Sequence, residues 1–256
     1  MTEVTKDLNM SVVKAFSILE VFTSEQKKWG VSELAKRIGY NKTTTFRLLR
    51  TLEYLGAVQK DKDDKYILGL KLFELGNEVS IYKSLRYMSS LPLENIAKEI
   101  TETIHFGVLE NQKVLYLNKA ESPLGLKVST QIGSYQDAYC SALGKVLLAY
   151  MSEAELQVYF KTIELVPRTT FTKVDEEALR NELKKIKAQR YALDMEELEL
   201  GLICIAIPVF NPQGEVIAAI SASGPSSRFK QEKVNDYLDI LFRGSKQLES
   251  QLIDFN

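Results

Sequence analysis

The spacing of apolar side chains predicts three short helices near the N-terminal end of the chain. Apolar residues recur at helical intervals over residues 9–22, again over 31–39 and again over 42–55. Gly39 stands where a left-handed residue commonly ends a helix, and Asn41 is suited to cap the helix that follows. Two helices separated by a turn this short are typical of a helix-turn-helix.

Short strands and a longer helix are predicted next along the chain. Residues 57–69 read as a strand, a charged turn and a second strand, which is the pattern of a wing hairpin. Together with the three helices, this hairpin predicts a winged helix-turn-helix domain over residues 1–70. Residues 71–90 are predicted to form a linker and dimerisation helix that ends before Pro92. The amphipathic pattern begins one residue earlier, and its apolar stripe comprises Leu70, Phe73, Leu75, Val79, Tyr82 and Leu85.

The pattern beyond Pro92 mixes short apolar strands with amphipathic helices. Strands are predicted over residues 104–110, 113–120, 125–133, 203–210 and 215–223. Helices are predicted over residues 140–151, 153–161, 175–189 and 230–253. This order predicts an α+β domain over residues 91–256, in which helices pack on an antiparallel sheet.

The charge of the chain is nearly balanced overall but is distributed unevenly. The formal net charge of −1 combines a net of +4 over residues 1–90 with a net of −5 over residues 91–256. Between Glu33 and Glu53 the chain has 19 residues without a single acid. The bases in this interval are Lys36, Arg37, Lys42, Arg47 and Arg50. A basic helix-turn-helix of this kind predicts a module that binds double-stranded DNA.

The predicted helix over residues 42–55 has an apolar face and a polar face. The apolar stripe comprises Phe46, Leu48, Leu49, Leu52 and Leu55, and Thr45 is expected to pack inward beside it. On the outer face, threonine offers a hydroxyl and a methyl to a base edge, while arginine can reach guanine or phosphate. The predicted DNA contacts are Lys42, Thr43, Thr44, Arg47 and Arg50 on the helix, with Lys62 and Lys65 on the wing.

The composition argues against several other classes of protein. No apolar run approaches the ~18 residues that span a bilayer, and the polar N-terminus resembles neither a signal peptide nor a transit peptide. Two cysteines in 256 residues do not make a disulfide framework. These observations predict a cytoplasmic protein with no membrane partner.

Four segments of the chain resemble the IclR family of transcriptional regulators. They read VSELAKRIGYNKTTTFRLLRTLEYLGAVQKD, CSALGKVLLAYM, YALDMEELELGLICIAIPVFNPQGEVIAAISASGP and SSRF. The resemblance covers nearly the whole length and implies a mixed α/β fold: a winged helix-turn-helix, a linker helix and an α+β effector-binding domain of the GAF/PAS-like type. It further implies a homodimer or a dimer of dimers, and control of DNA binding by a small-molecule effector. No cofactor is implied.

The resemblance also implies where that effector binds. The pocket of the family lies where the SALGK helix begins, so the backbone N–H groups of Ala142 and Leu143 are expected to face the ligand; a helix N-terminus suits a carboxylate. The other implied contacts are Asp194, Leu202, Cys204, Ser221 and Ser223. Ser221 and Ser223 are two residues apart on one predicted strand and therefore share a face. The expected function is that of a repressor released from its operator by a small metabolite, which we expect to bear a carboxylate.

Two other interpretations remain open at the level of sequence, and a third, an enzyme, is not expected. An activator of the same family would use the same modules. A metal-dependent sensor would require Cys140, Cys204 and His105 to converge, although their separation matches no recognisable zinc spacing. An enzyme would require a nucleophile signature, and none is found around either cysteine or the single histidine. His105 lies in a predicted strand beside Phe106 and is expected to be structural.

Overall fold

The helix-turn-helix is set by two residues at its turn. In the computed structural model, which describes residues 8–23, 26–125, 128 and 130–253, helices α1 (Met10–Leu19), α2 (Val31–Ile38) and α3 (Lys42–Tyr54) form the N-terminal part. Gly39 ends α2 in the left-handed region with φ 72°, and the Asn41 side chain accepts a hydrogen bond from the Thr44 N–H at 2.8 Å. The predicted turn and both of its cap residues are confirmed.

The wing and a small apolar core complete this N-terminal unit. Strands β1 (Val58–Lys60) and β2 (Tyr66–Leu68) pair antiparallel, as expected for a wing. The core consists of Ile18, Trp29, Leu34, Leu49, Leu52, Ala57, Val58 and Tyr66. Thr45 is buried as predicted, but Phe46 and Leu55 are exposed. At ~100° per residue these two lie about a quarter turn to either side of the stripe that Thr45, Leu49 and Leu52 form, so the buried face of α3 is narrower than predicted.

The predicted linker is two helices rather than one that ends before Pro92. Helix α4 spans Leu70–Asn77, and α5 spans Ser80–Ile100 with Pro92 inside it. A proline removes one helical N–H donor, but the turns that follow Pro92 bury Leu93, Ile96, Ala97 and Ile100. This packing outweighs the lost hydrogen bond. The chain divides into two compact units between Ser80 and Ile81, inside the predicted linker.

The C-terminal unit is built around a six-stranded antiparallel sheet with the strand order β5-β4-β3-β8-β7-β6. The strands are β3 (Thr103–Glu110), β4 (Lys113–Ala120), β5 (Tyr135–Asp137), β6 (Ala192–Met195), β7 (Leu202–Phe210) and β8 (Val216–Pro225). The predicted strand over residues 125–133 is not found: residues 126, 127 and 129 lie outside the described residues, and the described remainder forms no strand. The strand at the edge beside β4 is β5 instead, which is too short to give an alternating pattern.

Helices cover both faces of this sheet. Helices α6 (Ala142–Ala149), α7 (Glu153–Thr162) and α8 (Glu176–Gln189) pack on one face, while α5 and α9 (Val234–Ile253) pack on the other. Along β7, Ile203, Ile205 and Ile207 point to the α5/α9 side, while Cys204 and Ala206 point to the α6 side. The period of two therefore assigns each strand residue to one of two separate cores.

Helix α6 lies against the backbone just before it because one of its residues has no side chain. A Cβ atom at Gly144 would lie 2.2 Å from both the Cα and the carbonyl oxygen of Ala138. Backbone atoms cannot yield as the end of a flexible side chain can. Gly144 therefore fixes the position at which α6 begins.

We expect Gly144→Ala to destabilise the C-terminal unit strongly, because its methyl group must displace α6 from Ala138. Overpacked cores typically lose about 1–3 kcal/mol, and the upper part of that range applies where backbone is the obstacle. Gly76→Ala is the matched control, because a Cβ there meets nothing within 4 Å. Denaturant unfolding followed by circular dichroism should show a loss for the first variant and a change within about 1 kcal/mol for the second. Equal stability of the two variants would contradict this account.

Candidate functional site

The outer face of α3 presents the predicted DNA contacts to solvent. Lys42, Thr43, Arg47 and Arg50 are exposed, whereas Thr44 is half-buried. The three consecutive threonines therefore have different surroundings. Thr45 donates its hydroxyl to the Asn41 carbonyl at 3.1 Å and packs inward, Thr44 provides the N–H that Asn41 caps, and Thr43 is free to contact a ligand. A basic face that begins with exposed hydroxyls is suited to the major groove.

The wing carries as many acids as bases around its turn. Lys28 donates to Asp61 at 2.6 Å, and this hydrogen bond holds the pKa of Asp61 at about 2. Lys60 pairs with Asp64 at 3.1 Å, and Lys65 lies 4.0 Å from Glu33. Lys62 is exposed and forms no ion pair within the described residues. Of the two predicted wing contacts, Lys62 is thus the one whose charge is available to a phosphate.

A cavity of about 730 Å³ opens in the C-terminal unit between the sheet and the start of α6. Of the predicted effector contacts it brings together Ala142, Leu143, Leu202, Cys204, Ser221 and Ser223. Strand register explains how the last three meet: Cys204 stands opposite Ser223 across β7 and β8, and Ser221 stands opposite His105 across β8 and β3. Residues directly opposite one another in an antiparallel pair share a face.

His105 lies in the wall of this cavity. Its Nδ1 lies 3.3 Å from the Ser223 hydroxyl, and its Nε2 lies 2.5 Å from the Thr130 hydroxyl. Burial, with a smaller contribution from the charge of Lys119, lowers the pKa of His105 to about 3. Burial also raises the pKa of the Cys204 thiol. The floor of the cavity is therefore polar but uncharged at neutral pH.

Several hydrogen-bonding groups of the floor have no partner within the described residues. At the N-terminus of α6, Ser141 accepts a hydrogen bond from the Gly144 N–H at 3.2 Å, but the N–H groups of Ala142 and Leu143 find no acceptor. The hydroxyls of Ser221 and Tyr116 also have no partner within the described residues, and both line the cavity. Unpaired polar groups that converge on a cavity are the positions at which a bound polar ligand can form hydrogen bonds.

Tyr116 reaches the cavity through the ordinary alternation of β4. Val114 and Tyr116 lie on the α6 side of the sheet, whereas Leu115 and Leu117 lie on the α5/α9 side. The ring centroid of Tyr116 lies 5.1 Å from that of His105. The pairing of β3 with β4 becomes irregular only beyond Tyr116, which stands opposite Gly107, while Asn118 stands opposite Phe106. Sequence reasoning missed Tyr116, although the period of two along this strand could have found it.

Asp194 is the one predicted effector contact that does not line the cavity. It is fully buried, and one carboxylate oxygen accepts hydrogen bonds from the N–H groups of Glu197 at 2.7 Å and Leu198 at 3.4 Å. Burial raises the pKa of Asp194 to about 7. Although Asp194 stands opposite Cys204 in the sheet, its side chain caps the turn that leads to the cavity wall. This placement differs from the prediction.

A buried lysine connects that turn to two helices. Lys145 of α6 is fully buried, and its ammonium group donates to Glu197 at 2.5 Å, to Glu182 of α8 at 2.8 Å and to the Leu193 carbonyl at 2.6 Å. The Lys173 ammonium group also pairs with Glu182 at 3.1 Å and with Glu197 at 3.2 Å. The cluster holds the start of α6 and the 194–198 turn in a fixed relation.

Two basic residues that sequence reasoning missed stand at the rim of the cavity. Arg168 donates to the Asp137 carboxylate through its Nε at 2.9 Å and also through Nη2, while the Lys113 ammonium lies 3.6 Å from the other oxygen of the same carboxylate. Arg168 follows no helical or strand pattern, and Lys113 begins an ordinary strand. Nothing local in the sequence therefore marks either residue as part of a site.

The positions of the cysteines bear on the metal-sensor interpretation. Cys140 is buried against Tyr139 and Leu179, whereas Cys204 lines the cavity. Within the described residues, no three His, Cys, Asp or Glu side chains are placed to hold one metal ion together. The described helices also include none with both the length and the apolar character that a bilayer crossing requires.

Comparison with known proteins agrees with both halves of this description. Residues 11–62 match the IclR helix-turn-helix domain, and residues 82–250 match the family described as bacterial transcriptional regulator IclR C-terminal. The chain is 35% identical over 243 residues to the HTH-type transcriptional regulator KdgR of Escherichia coli, and the aligned region covers 94% of this chain and 92% of that protein.

Solved structures of related proteins share the fold over nearly the full length. The IclR protein of Thermotoga maritima is similar with a TM-score of 0.78 and 32% identity, covering 95% of this chain and 98% of that one. An IclR homolog of Microbacterium hydrocarbonoxydans, complexed with 4-hydroxybenzoate, has a TM-score of 0.86 at 23% identity, over 95% and 99% of the two chains. The chain therefore belongs to the IclR family of DNA-binding transcriptional regulators, which are not enzymes, and carries the effector-binding domain of that family.

Proposed function

We propose that this regulator is a repressor that leaves its operator when a small carboxylate-bearing metabolite fills the cavity. The observation that carries the proposal is the set of unpaired donors around the cavity floor, above all the free N–H groups of Ala142 and Leu143. A helix N-terminus with free N–H groups favours an anion through both hydrogen bonds and the helix dipole. A protein of the same fold that is complexed with 4-hydroxybenzoate, a carboxylate, supports the same ligand class.

The rest of the floor suits the polar part of such a metabolite. Ser221 and Tyr116 offer free hydroxyls, Ser223 offers a hydroxyl that it shares with His105, and Leu202 with Cys204 forms an apolar wall. Asp194 enters this proposal through the turn that it caps and not through direct contact. A hydroxylated or oxo-substituted small acid is the class of effector that this floor would bind.

The effector must favour one arrangement of the DNA-binding domains to act at a distance. A ligand can shift such an equilibrium only by its difference in affinity for the two states. With a coupling free energy of ~1–3 kcal/mol, operator affinity would change ~5- to 150-fold. Repression requires only that the bound regulator cover promoter DNA, whereas activation would require a further contact with the transcription machinery. We therefore favour the repressor and place it in the cytoplasm.

A homodimer is the proposed DNA-binding unit. Leu70, Phe73, Leu75 and Val79 are exposed, although they are apolar and follow one another along a short amphipathic segment. Burying them against a second copy would place two recognition helices on one DNA duplex, as a palindromic operator requires. A dimer of dimers is the larger assembly that we propose for operators with two such sites.

Ser221→Ala combined with Tyr116→Phe should weaken effector binding without unfolding the protein, because neither hydroxyl has a partner within the described residues. Two hydrogen bonds of about 0.5–1.5 kcal/mol each correspond to a loss of roughly 5- to 150-fold in affinity. The measurement is calorimetric titration with 4-hydroxybenzoate, L-lactate and D-gluconate, followed by gel shift on the promoter of the gene itself. Ser250→Ala, on the surface of α9, is the control. An unchanged response to every acid that binds would place the site elsewhere.

Arg47→Ala and Lys62→Ala should weaken DNA binding in different ways. If Arg47 reads a base, its loss costs ~1–3 kcal/mol at the operator and relaxes the preference at one base pair. Lys62 should contact phosphate, so its loss should weaken binding to all sequences alike. It should also lower the slope of log affinity against log salt concentration by about one. Fluorescence anisotropy with operator and scrambled duplexes over a range of salt concentrations separates the two effects. Unaltered binding by both variants would refute the assignment of α3 and the wing.

Phe73→Glu should shift the protein toward monomers, because a charge in an apolar dimer contact is buried without a partner. Glu74→Gln, which loses only an exposed pair with Lys71, is the control. Sedimentation velocity at micromolar concentration should show dimers or larger species for the wild type and for the control. A wild-type monomer under these conditions would contradict the proposed dimer.

A further inference from the structure

At the rim of the cavity, two positively charged side chains share one carboxylate. Arg168 binds Asp137 with two nitrogens, and Lys113 approaches the other carboxylate oxygen at 3.6 Å. Glu199, the other acid of the cavity lining, forms no ion pair with either base within the described residues. One negative charge therefore balances two positive charges at this position.

The shared carboxylate is buried, while both bases remain accessible. The side chain of Asp137 is 8% exposed, whereas those of Lys113 and Arg168 are 47% and 48% exposed. A ligand that enters from solvent can therefore reach the guanidinium without first displacing the backbone. Arginine suits this task because its planar group binds a carboxylate in a bidentate manner.

The ion pair also lies beside the unpaired N–H groups of the floor. The Ser141 hydroxyl donates to the Asp137 carbonyl at 2.9 Å and accepts from the Gly144 N–H at 3.2 Å, so it joins the end of β5 to the first turn of α6. Arg168 and the free donors of Ala142 and Leu143 line the same cavity.

Arg168 is held at the rim by its neighbours and not only by Asp137. The Thr169 hydroxyl donates to the Glu196 carbonyl at 2.6 Å, and the Thr172 hydroxyl donates to the Glu197 carbonyl at 2.6 Å. On the other side, the Tyr139 hydroxyl donates to the Val166 carbonyl at 2.7 Å. The guanidinium can exchange one carboxylate for another without moving its backbone away from the cavity.

We propose that Arg168 receives the carboxylate of the effector and that Asp137 is its built-in competitor. An entering acid takes the guanidinium from Asp137, which keeps Lys113 as its counter-ion, so no charge is left buried and unpaired. Uncharged analogues cannot make this exchange and are rejected at the rim. This inference rests on the proposed function, that is, on a small acid entering the cavity.

The opposed effects of two variants test the exchange. Arg168→Gln removes the receptor, whereas Asp137→Asn removes the competitor and keeps the shape of its side chain. Arg180→Gln is the matched control, because Arg180 forms a comparable pair with Glu176 and Glu153 on the surface of α8. The probes are 4-hydroxybenzoate, L-lactate and D-gluconate, each compared with its primary amide, in calorimetric and thermal-shift titrations of the full-length protein.

We expect the wild type to prefer each acid that binds over its amide, and Arg168→Gln to lose roughly 10- to 100-fold in acid affinity, the range for a hydrogen bond to a charged group. Asp137→Asn should bind the same acids several-fold more tightly, and the control should match the wild type. A folding defect would affect acid and amide alike, so the ratio of the two affinities reports recognition of charge.

Acids that bind Arg168→Gln as tightly as they bind the wild type would overturn the role of Arg168 and leave the effector cavity in place. Amides that bind the wild type as well as the acids do would overturn selection by charge. If no acid or amide stabilises the wild type, the carboxylate effector itself is refuted, and the inference falls with it.

Discussion

The C-terminal domain depends on a lysine that is enclosed completely. Burying an ammonium group is costly unless it is paired and hydrogen-bonded on all sides, and the loss of one partner typically costs about 3–5 kcal/mol. Lys145 meets this requirement through Glu182 of α8 and, from β6 and the turn that follows it, the Leu193 carbonyl and Glu197. The same residue belongs to α6, whose first turn forms the cavity floor. The geometry of the cavity is therefore fixed by an ion cluster outside it.

Around that fixed helix, the cavity separates neutral polarity from charge. Its floor holds an uncharged imidazole, a protonated thiol and hydroxyls, because burial disfavours any ionised form that lacks a partner. Its basic side chains, Lys113 and Arg168, stand at the rim, where water still reaches them. In the function that we propose, the rim selects the charge of a ligand and the floor selects its shape and hydroxyl pattern.

In the DNA-binding domain, charge is likewise distributed unevenly between the recognition helix α3 and the wing. The exposed face of α3 is free of acids, while Asp61 and Asp64 of the wing pair with Lys28 and Lys60. Phosphate contacts give affinity that does not depend on sequence, and base contacts give specificity. A wing of low net charge leaves most of the electrostatic attraction to α3, the element that is placed to discriminate between base sequences.

The sequence by itself determined the features that depend on neighbours along the chain. Asn41 and Gly39 mark the helix-turn-helix because capping and left-handed geometry are local, and apolar spacing gave the long strands and most helices. The tertiary structure alone decided which distant groups meet. A turn draws Asp194 away from the cavity, strand pairing places Ser221 opposite His105, and an irregular segment brings Arg168 to Asp137. No periodicity records these contacts, because each depends on how separate elements pack together.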